Sequence, residues 1–335
     1  MLSVSIIVHR FSFVAVGRRP ACMPRKGFAN LHTHLILKMS INRLALKEEM
    51  AAEIAPLPAV MVEPLLRHAL LEDLGRAGDL TSDAIVPPQA RARMQLAARQ
   101  DGVLAGMQLA QMAFQLMDPA ADFQALRGDG SRVRAGEVIG TVEGAARALL
   151  GAERCALNFL CQLSGVATAT ASIADAIRPY GARVSCTRKT APGLRAVQKY
   201  AVRVGGGSNH RYGLDDAVLI KDNHIAIAGG VASAISRARA GVGHMVRIQL
   251  EVDTLAQLEA GLAQGVDAVL LDNMDLDALR AAVRLVDGRA VVEASGRITP
   301  ETAAPIAQTG VDLMAVGWIT HSAPVLDIGL DIRHV

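Results

Sequence analysis

The stretch 245-MVRIQLEVDTLAQLEAGLAQGVDAVLLDNMDLDALRAAVRLVDGRAVVEASG-296 decides the fold. Three short apolar runs, Met245–Val252, Ala268–Leu271 and Ala290–Ala294, have strand length. Between them lie two runs with helical periodicity, Leu255–Gln264 and Leu276–Val286. The alternation continues outward. Ala182–Cys186, Ala217–Ile220 and Leu313–Val316 read as further strands, and Gly230–Ala240 and Pro300–Gln308 as further helices. The triplets Gly265-Val266-Asp267 and Gly310-Val311-Asp312 each precede a strand, a faint internal repeat. Repeated strand–helix units of this spacing require a parallel sheet, because parallel neighbours need a long crossover.

Polar residues at the strand ends choose between a barrel and an open sheet. Each run stops at small or reactive groups: Thr187-Arg188-Lys189, Lys221-Asp222-Asn223, Glu251, Asp272-Asn273, Ser295-Gly296 and Gly317. Functional groups spread over the C-terminal ends of many strands are the barrel arrangement, whereas an open sheet focuses its site at one crevice. No GxGxxG follows the first strand and no GxxxxGK[ST] occurs, so dinucleotide and P-loop readings fail.

The chemistry gathers in Cys186–His224, which holds seven Lys/Arg, three acids, the run Gly205-Gly206-Gly207, His210 and His224. A cation-rich, glycine-rich connection between apolar strands builds an anion pocket. Arg188, Lys189 and Lys221 sit directly at the ends of apolar runs. Arg195, Lys199 and Arg203 fall on the intervening helix-like segment and read as surface charges. Of the histidines, His210 beside Arg211 is the better site candidate. Glu251 and Asp272 end successive strands and so share one rim. Two carboxylates can act as an acid/base pair or can hold Mg²⁺ and sugar hydroxyls, and the surrounding cations favour an anionic, phosphorylated ligand with Mg²⁺. Ser295-Gly296 and Val316-Gly317 offer backbone N–H groups to a phosphate.

The chain has 335 residues, of which 51% are hydrophobic and 3% aromatic, with a net charge of +3. This suffices for about two domains. Residues 1–47 carry eight Lys/Arg and no acid; without them 27 basic residues face 32 acidic ones. The body is mildly acidic, so the basic cluster is a local site and no nucleic-acid surface is expected. Residues 1–49 look foreign to the rest. They read either as a targeting segment or, the favoured reading, as an extension from a start placed too far upstream, with Met39 or Met50 as the first residue. Every long apolar run is broken by charge or glycine, so no membrane span is expected. The four cysteines lack CxxC spacing and read as buried thiols of a cytoplasmic protein, with no zinc site. Residues 57–165 form an N-terminal α+β domain that ends in a helix from Ala145 to Ser164. Arg154 lies at the edge of that helix's apolar stripe. Residues 166–322 form the β/α barrel, and 323–335 form a segment that can return to the first domain.

The motifs then become specific. Thr187-Arg188-Lys189-Thr190, Gly206–Arg211, Leu219–His224, Glu251-Val252, Leu271-Asp272-Asn273, Glu293–Gly296 and Thr320-His321-Ser322, with Glu72–Gly75, Gly78–Thr81 and Glu153–Asn158 before them, resemble the quinolinate phosphoribosyltransferase family over about Leu57–Ile332. The resemblance implies an N-terminal α+β sandwich-like domain and an incomplete β/α barrel of fewer than eight strands. It implies a homodimer in which Arg154 reaches the partner's site. It also implies a pentosyltransferase that joins quinolinate to phosphoribosyl pyrophosphate with Mg²⁺, giving nicotinate mononucleotide, pyrophosphate and CO₂ in NAD biosynthesis. On that reading Lys189, Lys221, Glu251 and Asp272 are catalytic, with Glu251 and Asp272 holding Mg²⁺ directly or indirectly. Arg154, Arg188, His210, Arg211 and Lys221 take the dicarboxylate, with Thr187 beside them. Ser295, Gly296, Arg297, Ala315, Val316 and Gly317 form the phosphate site. Two residues depart from the family pattern: Arg297 where a smaller residue is usual, and Ala315 where serine is common. Arg297 either adds a cation or faces solvent. The rivals are a paralogous transferase of the same fold acting on another pyridine or base, a Schiff-base lyase using Lys221, and a non-catalytic binding module.

Overall fold

The structure, a computed structural model, describes residues 54–332. The readings of residues 1–49 lie outside the described residues.

The first part is α+β. Helix α1 (Ala59–Leu74) buries Val62, Leu66 and Leu70, and α2 (Leu80–Ile85) follows with Asp79 capping Ser82 N–H at 3.0 Å. Strands β1 (Arg91–Ala98), β3 (Asp122–Ala125) and β5 (Val138–Ala145) pair antiparallel, with β2 (Gly102–Val103) and β4 (Arg132–Val133) as a separate small ribbon. Helix α3 (Met107–Met117) covers this sheet with Leu109, Ala110, Ala113 and Phe114. The last strand, β12 (Ile328–Ile332), pairs antiparallel with β1, from Met94↔Ile332 to Ala98↔Ile328. The chain's C-terminal segment therefore completes the sheet β12-β1-β5-β3.

One helix, α4 (Ala146–Ile177), is the spine. The sequence reading stops it at Ser164, but it runs 13 residues further. Residues 165–177 contain no proline, and their small side chains continue the buried face; the helix ends only where Pro179 and Gly181 follow. Gly165 sits inside it because the Pro324 carbonyl packs where a Cβ would stand. Ser164 Oγ and Thr168 Oγ1 accept the N–H groups of Ala105 and Val103 at 3.0 and 2.9 Å, which satisfies the backbone at the end of β2. By length and hydropathy α4 could cross a membrane, contrary to the sequence reading, yet most of that stretch is buried inside the fold. It packs against both halves and joins them.

The second part is the parallel sheet. Its strands are β6 (Arg183–Ser185), β7 (Val218–Ile220), β8 (Ile248–Val252), β9 (Ala268–Asp272), β10 (Val291–Ser295) and β11 (Leu313–Ala315). Their order is β6-β11-β10-β9-β8-β7, so first and last strands are neighbours while β6 and β7 do not pair. That is a barrel left open at one seam. Beside the seam, Ser208 makes a single parallel bridge to Ser185. Helices α5 (Arg195–Val204), α6 (Asp222–Ala228), α7 (Val231–Gly241), α8 (Leu255–Ala263), α9 (Leu276–Val286), α10 (Pro300–Ala307) and α11 (Trp318–His321) lie between the strands. Alternation along the strands sends Gln249/Glu251, Leu270/Asp272, Glu293/Ser295 and Leu313/Ala315 to one face, the barrel interior.

Candidate active site

A cavity of about 370 Å³ opens at the C-terminal end of the barrel. Thr187, Arg188, Lys189, His210, Arg211, Lys221, Glu251, Asp272, Ser295 and Ala315 line it, together with Leu219 and Leu270. Ten residues that the sequence places far apart thus meet at one mouth, because parallel strands deliver all their C-terminal ends to the same side.

The cation wall is unusual energetically. Arg188 and Arg211 each hold a buried Nε that finds no hydrogen-bond partner among the described residues. A buried donor left unmet costs about 1–3 kcal/mol, so each stands ready for an acceptor from outside the chain. Arg211 donates Nη1 to the Ala217 carbonyl at 2.9 Å. Burial, and then the neighbouring Arg188 charge, push its guanidinium below its ordinary value against the pull of Asp216. Two repelling guanidiniums in one pocket need an anion between them. Across the cavity Lys221 Nζ pairs with Glu251 Oε2 at 2.7 Å. A lysine ammonium has three donors, so two remain for a ligand. Asp272 accepts from Asn273 Nδ2 at 2.8 Å.

The floor was not foreseen. His210 Nδ1 accepts the Arg211 backbone N–H at 2.8 Å, which leaves Nε2 to face Gln249 Oε1 at 2.7 Å. Gln249 in turn donates to Glu293 Oε2 at 2.7 Å. Both Gln249 and Glu293 are buried, and Glu293 Oε1 has no partner among the described residues. The signal was present: Gln249 and Glu293 lie two residues before Glu251 and Ser295, on the same strand face.

The residues expected to hold a phosphate give a mixed result. Gly296 adopts φ +116°, and a Cβ there would strike the side chain of Asn273, so this turn needs glycine. A Cβ on Gly317 would stand 3.0 Å from Lys189 Cδ, so the two strand ends converge beside Lys189. Val316 does not fit the expectation that its N–H serves a phosphate. It is buried and gives its N–H to the Ser185 carbonyl at 2.8 Å as part of the sheet. Arg297 has φ +46°, is exposed and does not line the cavity. Arg154 does not line the cavity either; it is exposed on α4, with Nη2 on Glu153 at 2.8 Å. His224 caps α6, accepting the Lys221 N–H at 3.0 Å.

The surface-charge reading of α5 needs correction for two of its three cations. Arg203 is exposed. Lys199 is buried, 2% exposed, and Arg195 is half-buried with three hydrogen bonds to neighbouring loops. Helix α5 packs against the spine α4, so the face that carries Lys199 turns inward under the loops.

An open-seamed parallel barrel, with cations facing carboxylates at its mouth, defines an enzyme of polyanionic substrates. The quinolinate phosphoribosyl transferase N-terminal domain model matches residues 79–164 and the C-terminal domain model matches residues 166–331. The nicotinate-nucleotide pyrophosphorylase [carboxylating] of Mycobacterium leprae is 45% identical over 272 residues, covering 80% of this chain and 95% of its own. The probable enzyme of the same name from Bacillus subtilis is 40% identical and covers 82% and 94%. Among solved structures, the nicotinate-nucleotide pyrophosphorylase from Francisella tularensis superposes with a TM-score of 0.80 at 36% identity, covering 85% of this chain and all of that one. The chain belongs to the quinolinate phosphoribosyl transferase family.

Proposed function

We propose that this chain transfers the phosphoribosyl group of phosphoribosyl pyrophosphate to quinolinate and removes the 2-carboxylate, giving nicotinate mononucleotide, pyrophosphate and CO₂ for NAD biosynthesis. The observation that carries this reading is the pair of buried, unpartnered guanidinium nitrogens of Arg188 and Arg211. Two adjacent carboxylates on a pyridine ring are the ligand such a pair accepts, since planar guanidiniums bind carboxylates in a fork. Lys221 and Lys189 add charge at the rim.

The ring nitrogen then faces the carboxylate wall. As pyrophosphate departs, positive charge builds on the ribose C1, and Glu251 and Asp272 stand where they stabilise it and hold the ribose hydroxyls. Attack by the ring nitrogen makes a pyridinium, which draws the electrons of the breaking C–CO₂ bond; a proton from solvent completes the ring carbon. No protein nucleophile is needed, so the work is positioning and electrostatics. Among the described residues no group of three or more His, Cys, Asp or Glu forms a metal cage. Two carboxylates alone suit Mg²⁺, which takes one or two of them plus phosphate oxygens and water. When bound with the pyrophosphate, Mg²⁺ neutralises charge on the leaving group. Ser295, Gly296 and Gly317 receive the 5′-phosphate beside Lys189.

The enzyme works as a homodimer, with Arg154 completing the partner's dicarboxylate site. Its exposure on α4, outside the lining of its own chain's cavity, supports this assignment. A cytoplasmic location is supported by the free thiols of all three cysteines among the described residues, Cys155, Cys161 and Cys186. Burial, and then the Asp73 charge, push the Cys155 thiol up to about 11, which keeps it unreactive.

Incubating the protein with phosphoribosyl pyrophosphate and Mg²⁺ plus either quinolinate or nicotinate tests the reading. Nicotinate mononucleotide and CO₂ from quinolinate, with no turnover of nicotinate, is the expected result. Turnover of nicotinate alone would assign the paralogous reaction instead.

A further inference from the structure

Helix α5 presents Arg195, Gln198 and Lys199 at i, i+3 and i+4 spacing, hence on one face. Lys199 Nζ donates to Cys186 Sγ at 3.1 Å and to the His210 carbonyl at 2.9 Å. Arg195 reaches Thr190 Oγ1 at 3.1 Å, the Tyr212 carbonyl at 3.2 Å and the Arg188 carbonyl at 3.4 Å. These bonds land on both sides of each site arginine. Cys186 and Thr190 bracket Arg188; His210 and Tyr212 bracket Arg211. One helix face therefore grips both loops that carry the guanidiniums.

The grip has a physical purpose. Arg188 and Arg211 repel each other before an anion arrives, and their loops are irregular segments with little sheet to hold them. A buried ammonium is a costly brace, since it leaves water and must be satisfied by the protein. Among the described residues no carboxylate lies within salt-bridge distance of Lys199, whose partners are a thiol and a carbonyl. Burial pushes the Asp216 carboxyl up, but the backbone N–H groups of Tyr212 and Gly213, aided by the Lys199 charge, hold it below its usual range. The same buried charge thus steadies the loop 210–216. A methionine would fill the space without these demands, so packing alone does not call for a lysine.

We propose that Lys199, assisted by Arg195, is a positioning residue that sets the separation of the Arg188 and Arg211 guanidiniums and thereby makes the site selective for two adjacent carboxylates. It touches no substrate. The inference rests on the dicarboxylate reading of the cavity, and the test separates the two.

The test is calorimetric binding of phthalate, an unreactive ring with two adjacent carboxylates, and of benzoate, which has one. Wild-type protein is compared with Lys199→Met, Arg195→Met and the control Arg203→Met on the exposed side of the same helix. Lys199→Met should weaken phthalate by about tenfold or more while benzoate changes by less than about twofold, as loss of charge-assisted geometry predicts. The KM for quinolinate should rise in parallel, with the KM for phosphoribosyl pyrophosphate unchanged. Should Lys199→Met fail to fold, the half-buried Arg195→Met carries the same expectation. Unchanged phthalate affinity in a folded variant, equal weakening of both ligands, or the same loss in Arg203→Met would overturn the proposal. Wild-type protein that binds no phthalate would instead overturn the dicarboxylate reading itself.

Discussion

Replacing Arg188 by methionine should separate stability from function, and the two should move in opposite directions. Among the described residues the Arg188 Nε is buried without a partner, and its backbone oxygen, not its side chain, takes the Arg195 bond. Removing an unmet buried donor returns about 1–3 kcal/mol, from which the lost packing of the chain must be subtracted. Repulsion with Arg211 also disappears. A net gain of about 1 kcal/mol raises Tm by roughly 2 °C in a protein of this size. Catalysis should collapse. A guanidinium fork on a carboxylate makes two charge-assisted bonds of about 1.5–3 kcal/mol each, which together correspond to a loss of roughly 10²–10⁴ in kcat/KM. Thermal unfolding without ligand and initial rates with varied quinolinate measure both quantities on one preparation. A variant that unfolds several degrees earlier yet keeps its KM for quinolinate would refute the reasoning, because Arg188 would then be a structural residue.

Glu251→Gln and Asp272→Asn should each lower kcat by about 10² or more with a small change in KM for quinolinate, since they act on charge that develops only in the transition state; steady-state kinetics with both substrates varied will show whether KM absorbs the loss instead. Gly296→Ala forces a side chain into a left-handed backbone and into Asn273, so urea unfolding should record a cost of about 1–3 kcal/mol. Asp118 accepts the N–H groups of Ala145 and Ala120, and these hold its carboxyl below the usual carboxylate range. A depressed folded value means the contribution is present above the unfolded value and fades as pH falls through the folded one, so Asp118→Asn should flatten the acid limb of a stability–pH curve below about pH 4. Mixing Arg154→Ala with Lys221→Ala protein should restore part of the activity, because one mixed site is intact; heterodimers that form without recovery would count against a shared site.

The barrel was legible because its signals are local and periodic: strand-length apolar runs, helical spacing between them, and polar residues at each C-terminal strand end. Thr187, Arg188, Lys189, Lys221, Glu251, Asp272 and Ser295 stood at those ends and all line the cavity. What escaped depends on packing between distant elements. Why α4 carries glycine at position 165 shows only in the packing: the Pro324 carbonyl stands where its Cβ would be, a contact that no window of sequence contains. Lys199 looked like a solvated helix charge because three cations share α5, and only the docking of that helix beneath two loops turns it inward. Val316 was credited with a free N–H because its bond to Ser185 crosses from the last barrel strand to the first. Gln249 and Glu293 could have been read by extending the two-residue alternation one step down the strands from Glu251 and Ser295.

The central claim is that two arginines hold an adjacent dicarboxylate so that phosphoribosyl transfer triggers loss of one carboxylate. The measurement closest to it follows quinolinate labelled in the 2-carboxylate, with and without phosphoribosyl pyrophosphate, in the presence of Mg²⁺. Label released as CO₂ only when phosphoribosyl pyrophosphate is present, in step with nicotinate mononucleotide, is the predicted result. Transfer with the label retained in the product, or release without the phosphoribosyl donor, would contradict the account.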